Sequence, residues 1–267
     1  LYQIYRVPLA GANRTPTLLV ENGTQPGISR DGQYMAFFSR RSDSEGLSLY
    51  DFTRPLNPQA IFPRLSNFIE DGRGSAPSWA PVGNGLVFSS DREGDRRLRV
   101  YMTTPPDRNS SKFIDFGEDP AWGLTSDGQS LIVYKGTDNT GNNPGLWLAR
   151  DDGVKLKQLT TNGSDRRPVW SPNGQYVVFM RQLEGDNWDL YRVRVADGSE
   201  VRLTNNPAQD GLPTISPDGQ WVAFASDRSG ADWAIWQVAI DGSSEQPLLS
   251  IQGVLHNWLE HAIQWVN

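Results

Sequence analysis

Hydrophobic residues fall along this chain in short continuous runs, separated by polar stretches rich in Gly, Asp, Asn and Pro. The runs YMAFFS (34–39), LVFSS (86–90), LIVYKG (131–136), YVVFMR (176–181) and WVAFAS (221–226) are aromatic and β-branched. That composition predicts strands buried on both faces. Each is followed, after a polar turn, by a second strand-like run: LSLYDF (47–52), LRVYMT (98–103), LWLAR (146–150), DLYRVRV (189–195) and AIWQVAI (234–240). In DLYRVRV, Leu190, Arg192 and Arg194 share one face, and Tyr191, Val193 and Val195 share the other. A period of two with one polar face predicts strands nearer the outside. Weaker runs close the units, as in KQLTT (157–161), VRLTN (201–205) and QPLLS (246–250). No pattern demands a helix, although the tail GVLHNWLEHAIQWVN has room for a single turn.

A short Pro-x-Trp or Pro-x-Ile segment precedes each buried run: Pro26-Gly-Ile28, Pro77-Ser-Trp79, Pro120-Ala-Trp122, Pro168-Val-Trp170 and Pro213-Thr-Ile215. Ile263-Gln-Trp265 repeats it near the C-terminus, and the steps between successive positions are 51, 43, 48, 45 and 50 residues. This is the period of propeller blades. Asp31-Gly32, Asp127-Gly128, Asn173-Gly174 and Asp218-Gly219 follow the short segments and predict two-residue hairpin turns. Val82-Gly83 keeps only the Gly of the pattern, and the third copy inserts two residues between Trp122 and its turn. The expected architecture is an all-β, six-bladed propeller of four-stranded antiparallel blades, one domain over 1–267. LYQIYRVPLAG (1–11) copies the third-strand segment WDLYRVRVADG (188–198), and TLLVENG (17–23) copies the fourth. The last blade is therefore expected to be closed by both terminal segments, with Ile263-Gln-Trp265 as its first strand. It lacks a second strand, so either it has three or the natural chain continues.

The box Trp-Ser-Pro-Asn/Asp-Gly-Gln, an apolar strand, and then Ser-Asp-Arg-x-Gly (Ser90–Gly94, Ser226–Gly230) resembles the WD-type repeat of the TolB-like propellers, whose namesake serves the bacterial Tol–Pal envelope system. It is also similar to repeats in propellers attached to serine peptidases, tricorn-type proteases and membrane-anchored sensors. The resemblance covers nearly the whole chain and is strongest over 166–249. It implies a periplasmic or extracellular home and a protein or peptide partner. It also implies a monomer or one domain of a larger chain. Fold likeness alone assigns no chemistry.

The formal charge of −6 supplies no basic field for nucleic acid. The absence of an apolar run of helical spanning length argues against a membrane helix. The opening segment carries no signal-peptide pattern, so none is expected within it. Zero Cys excludes disulfides, Cys-ligated zinc and thiol catalysis.

The box itself invites a catalytic reading of Ser171 and Asn173. A catalytic residue is needed once, however, and the box recurs. It also fails the spacing of a Gly-x-Ser-x-Gly elbow. No catalytic residue, metal ligand or cofactor is expected. His256 and His261 in HNWLEH are five apart and miss the metalloprotease spacing. TDNTGNNPG (137–145) offers a single carboxylate and reads as a solvated loop rather than a calcium site. SDREGDRRLR (90–99) balances its arginines with acids and reads as a self-neutralised hairpin.

The segments just before each Pro-x-Trp differ from blade to blade. They lead into the strands that line the channel, so they crowd one mouth of it. Glu118, Asp119, Asp165, Arg166, Arg167, Asp210, Glu260 and His261 are therefore the candidate binding residues, beside Thr24-Gln25 and Gly74-Ser75-Ala76. The expected activity is non-enzymatic recognition at this rim, with a propeller enzyme or a substrate-gating domain as the alternative.

Overall fold

The computed structural model describes residues 2–10, 14–68, 75–230, 232–251, 255 and 257–266. Six antiparallel sheets follow one another along the chain. The first pairs β1 (Gln3–Arg6) with β2 (Thr17–Glu21). Blade 1 contains β3 (Gly23–Ile28), β4 (Tyr34–Ser39) and β5 (Gly46–Asp51). Blade 2 contains β6 (Ser78–Trp79), β7 (Leu86–Ser90), β8 (Arg99–Thr103) and β9 (Ser110–Ile114). Blade 3 contains β10 (Gly117–Leu124), β11 (Ser130–Gly136), β12 (Gly145–Arg150) and β13 (Lys155–Gln158). Blade 4 contains β14 (Arg166–Trp170), β15 (Tyr176–Gln182), β16 (Trp188–Arg194) and β17 (Glu200–Arg202). Blade 5 contains β18 (Asp210–Ile215), β19 (Trp221–Ser226), β20 (Ala234–Ala239) and β21 (Glu245–Ser250). In each blade the strands pair in chain order.

The propeller expected from the repeat is present, with three differences in its blades among the described residues. Five blades carry three or four strands, and the sixth position holds only the two-stranded sheet β1–β2. Among the described residues blade 1 has no full outer strand. Its place is taken by a lone bridge between Ser48 and Arg64, in a proline-flanked stretch where Pro63 has no N–H to give a ladder. Ile263-Gln-Trp265 does not pair as a strand, yet it docks where an inner strand belongs. The Trp265 N–H donates to Thr214 Oγ1 of blade 5 at 3.0 Å, just as the Trp122 N–H of blade 3 donates to Ser78 Oγ of the preceding blade at 2.9 Å.

The middle strand of each blade reads as unbroken hydrophobic sequence because both its faces are buried. Val177 and Phe179 of β15 pack on Val133 and Leu148 of blade 3, while Val178 and Met180 pack on Val222 and Phe224 of blade 5. Every one of these residues except Leu148, at 1 % exposure, is wholly inaccessible to solvent. The box tryptophans lock neighbouring blades together. Trp79 Nε1–H donates to the Gly27 carbonyl at 2.9 Å, and Trp170 Nε1–H to the Ala121 carbonyl at 3.0 Å. Gly123 must lack a side chain, because a Cβ there would lie 2.4 Å from the Trp170 ring.

The Ser-x-Asp-Gly turns are built differently from the two-residue hairpins expected. Ser171 and Tyr176 close the hairpin across four residues, and only Gly174 takes a positive φ, +67°. Ser171 Oγ donates to Asn173 Oδ1 at 2.7 Å and accepts the Tyr176 N–H at 2.9 Å. Asn173 Oδ1 also accepts the Gln175 N–H, at 3.1 Å. The same ring of bonds recurs at Ser29/Asp31 and Ser216/Asp218. The box hydroxyl is thus consumed in turn formation, which is its function in the repeat.

Candidate functional site: the channel mouth

Four inner strands, β3, β10, β14 and β18, bulge at the residue immediately before their Pro, and β6 of blade 2 pairs without the bulge. Gln25, Asp119, Arg167 and Leu212 occupy the left-handed region with φ between 53° and 56°, and the strand register shifts at the same place. Proline has no N–H, so a bulge there sacrifices no ladder bond. All four residues are buried. The irregularity turns these positions out of the sheet, at the end of the channel where the variable loops gather.

The structure separates the candidate rim residues into two sets. Asp165 and Asp210 are fully buried and do not form an exposed rim. Asp165 takes both arms of Arg181, at 2.5 and 2.8 Å, and Asp210 accepts from Ser226 Oγ at 2.6 Å and Arg228 at 2.5 Å. In both cases the cation lies at the end of the blade's own middle strand or just beyond it, so each pair fastens a loop to its blade. Burial outweighs the arginine at Asp210 and pushes its carboxyl up to about 6; Asp165 is raised for the same reason.

Asp119 and Arg167 are buried as well, at 1 % and 7 % exposure, but they join different blades. Asp119 Oδ2 accepts the Arg167 backbone N–H at 3.0 Å and the Arg166 Nε–H at 3.3 Å. Burial pushes the Asp119 carboxyl up, but Arg166 and Arg167 together outweigh it and hold it below the usual carboxylate range. Burial lowers the Arg167 guanidinium. Glu118 is half-buried, 2.8 Å from Lys135 Nζ and 3.8 Å from Arg166. Two acids and three cations thus form one nearly balanced cluster, which favours specific hydrogen bonds over bulk attraction of anions.

Glu260 and His261 sit at the seam between the first and last sheets. The Tyr2 hydroxyl donates to Glu260 Oε2 at 2.5 Å, Arg40 donates to the same oxygen at 2.8 Å, and Thr24 Oγ1 donates to the Glu260 carbonyl at 2.8 Å. The His261 ring lies 5.7 Å from that of Tyr2. His256 and Gly74 lie outside the described residues.

Beside the charged cluster opens a cleft of about 780 Å³, bounded by Lys135, Ser164, Arg166, Trp188, Trp233 and Trp258. Composition and repeat reading missed its aromatic wall. A signal was present, since Asn187-Trp188 and Asp232-Trp233 stand at the same point of successive blades, where the third strand begins. Neither the rim nor the rest of the described residues groups three or more His, Asp or Glu side chains for a metal. Asp138 spends its carboxylate on its own loop, accepting from the Thr140 and Asn142 N–H groups and the Asn143 amide. Arg99 is held by Asp95 at 2.6 and 2.8 Å inside its own hairpin.

Residues 168–257 match the family model described as the TolB beta propeller domain. The fold is similar to that of TolB from Acinetobacter baumannii, with a TM-score of 0.71 and 19% identity, covering 94% of this chain and 63% of that one. It is equally similar to a TolB-type protein of Agrobacterium tumefaciens, at TM-score 0.71 and 20% identity over 90% of this chain and 86% of the other. By sequence, 147 residues are 31% identical to the uncharacterized peptidase YuxL of Bacillus subtilis (strain 168), covering 42% of this chain and 22% of that protein. The matched region is thus about a fifth of the length of that relative.

Proposed function

We propose that this chain, a TolB-like β-propeller, is a non-enzymatic recognition module that binds a protein or peptide segment at the channel mouth. The observation that carries this reading is the cleft between Arg166 and the Trp188/Trp233/Trp258 wall. Aromatic faces supply apolar contact, while Arg166, Lys135 and neighbouring polar groups supply direction. Lys135, Arg166 and Trp188 stand on strands, and Arg166 is held by the buried Asp119, so these groups need little ordering on binding. The box hydroxyls of Ser29, Ser171 and Ser216 are engaged in turns, and no nucleophile–base pair stands out among the described residues of the mouth. Family resemblance and the lack of Cys support a periplasmic or extracellular home.

The test is selection of a random peptide library on the purified chain. Enriched peptides are expected to bind the native chain and Val82→Ser, on an exposed turn away from the mouth, alike. They are expected to bind Ser164→Trp, which fills the cleft, at least about tenfold more weakly. Failure to enrich any peptide, or indifference to Ser164→Trp, counts against the reading.

The sequence match to a protein named as a peptidase favours a second reading, in which the propeller gates access to a peptidase. In that case peptides would bind the mouth only transiently, and a linked catalytic unit would be needed for turnover. Hydrolysis of peptide substrates by the isolated chain would overturn both readings in favour of autonomous catalysis.

A further inference from the structure

The single-turn 3-10 helix Trp258–Glu260 lies across the channel mouth and holds groups from widely separated parts of the ring. The Trp258 ring sits 5.9 Å from Trp188 of blade 4 and 5.3 Å from Trp233 of blade 5. It rests directly on Gly211, where a Cβ would come within 2.5 Å of the indole. The Leu259 carbonyl accepts from the Arg167 guanidinium of blade 4. Glu260 is held by Tyr2, by Arg40 and, through its carbonyl, by Thr24 of blade 1. Blades 1 and 4 are three places apart in a ring of six, so this turn bridges the opening.

The turn is seated through specific groups, but it is not buried. All three of its residues are half-exposed, and Asn257, which starts it, adopts φ +52° without a side-chain cap. The mouth therefore contains an aromatic seat with glycine as its floor, an arginine donor for a backbone carbonyl, and a carboxylate seat made by Tyr2 and Arg40. Arg167 keeps its Nε–H, and Asp119 its Oδ1, without a hydrogen-bonding partner, 4.0 Å apart and buried. Aromatic, guanidinium and carboxylate contacts from separate parts of the ring thus converge on one half-exposed turn.

We propose that residues 257–261 are a displaceable self-ligand of the mouth, and that the partner segment replacing them is a peptide turn with an aromatic side chain followed two residues later by a carboxylate. This rests on the mouth being the binding face, and it adds the chemistry of what binds there. A competing internal segment lowers the apparent affinity by the fraction of time it occupies the seat.

The test uses the labelled peptide Asn-Trp-Leu-Glu-His-Ala, which copies residues 257–262, and fluorescence anisotropy. Trp258→Ala, which empties the aromatic seat, is expected to bind it at least about tenfold more tightly than the native chain does. Gly211→Ala also expels Trp258, but it fills the seat, so it is expected to show no gain. A peptide with Ala in place of its Trp is expected to lose the gain. Should Trp258→Ala fail to fold, Glu260→Ala and hydrogen exchange decide. Peptide added to the native chain is expected to speed exchange of the Glu260 and His261 amides, which donate to the Asn257 and Trp258 carbonyls. If library-selected peptides bind the cleft while this peptide gains nothing from Trp258→Ala or Glu260→Ala and leaves both amides unchanged, the self-ligand proposal falls and the recognition reading stands. If nothing binds either way, both fall.

Discussion

The Asp119 carboxylate of blade 3 accepts the backbone N–H of Arg167 in blade 4, at 3.0 Å, while the guanidinium of Arg167 reaches over to the Leu259 carbonyl. One buried acid therefore positions the backbone of the next blade and helps neutralise the two arginines that follow. The mouth is built from this cross-blade contact rather than from a fringe of free charges. Asp119→Ala leaves the buried Arg167 without its nearest acid, and removing one member of such a pair costs about 3–5 kcal/mol. Asp119→Asn keeps an acceptor for the Arg167 N–H and is expected to lose less. Urea unfolding of the two variants separates the backbone contact from the charge.

The acids at the mouth make opposite contributions to the pH dependence of stability. Asp119 is held below the usual carboxylate range, so its stabilisation is present above that range and is lost as pH falls through its folded value. Asp210, raised to about 6, runs the other way: its contribution is fully present at low pH and is lost as pH rises through 6. Asp210→Asn removes that loss. Between about pH 4 and pH 7 the stability of Asp210→Asn relative to the native chain is expected to improve by about 2 kcal/mol. Denaturant titrations at the two pH values check it, and an unchanged difference would show that Arg228 governs the carboxyl completely.

Gly123→Ala places a methyl group against the Trp170 ring at a distance no real contact tolerates. The expected cost is about 1–3 kcal/mol, since Trp170 must shift and stretch its bond to Ala121. Thermal unfolding, with Trp fluorescence as a second probe, reads both effects.

Ser171→Ala removes a hydroxyl that donates to Asn173 and accepts from Tyr176. About 1–2 kcal/mol of stability is expected to go with it. Peptide binding at the mouth is expected to be unaffected, because the turn lies at the other end of the inner strand. A loss of binding with stability intact would reassign Ser171 to the site.

The fold was readable because its signals repeat. Phe37, Phe88, Phe179 and Phe224 recur at the same point of the middle strands of blades 1, 2, 4 and 5, and burial on both faces requires nothing subtler than unbroken hydrophobicity. The mouth was readable only in outline. Loop position singled out Asp165 and Asp210, but their partners, Arg181 and Arg228, lie 16 and 18 residues away, and only folding brings them together. The left-handed bulge before Pro26, Pro120, Pro168 and Pro213 carries no composition signal, since Gln25, Asp119, Arg167 and Leu212 share no chemistry. Trp258 likewise looked like part of an irregular tail until Gly211 and two further tryptophans were seen to surround it.

The two-faced middle strand has a mechanical consequence. Val178 serves one interface and Phe179 the other, so a disturbance in β15 is felt by two neighbours at once. Energy is thereby shared around the ring from blade 1 to blade 5 as in a row of stacked plates, where inner plates are clamped from both sides. The described β1–β2 sheet contributes no such strand, and the seam is instead bridged by contacts such as that of Tyr2 with Glu260. Because Glu260 belongs to the turn across the channel, loosening its bonds to Tyr2 and Arg40 at the seam would also uncover the mouth.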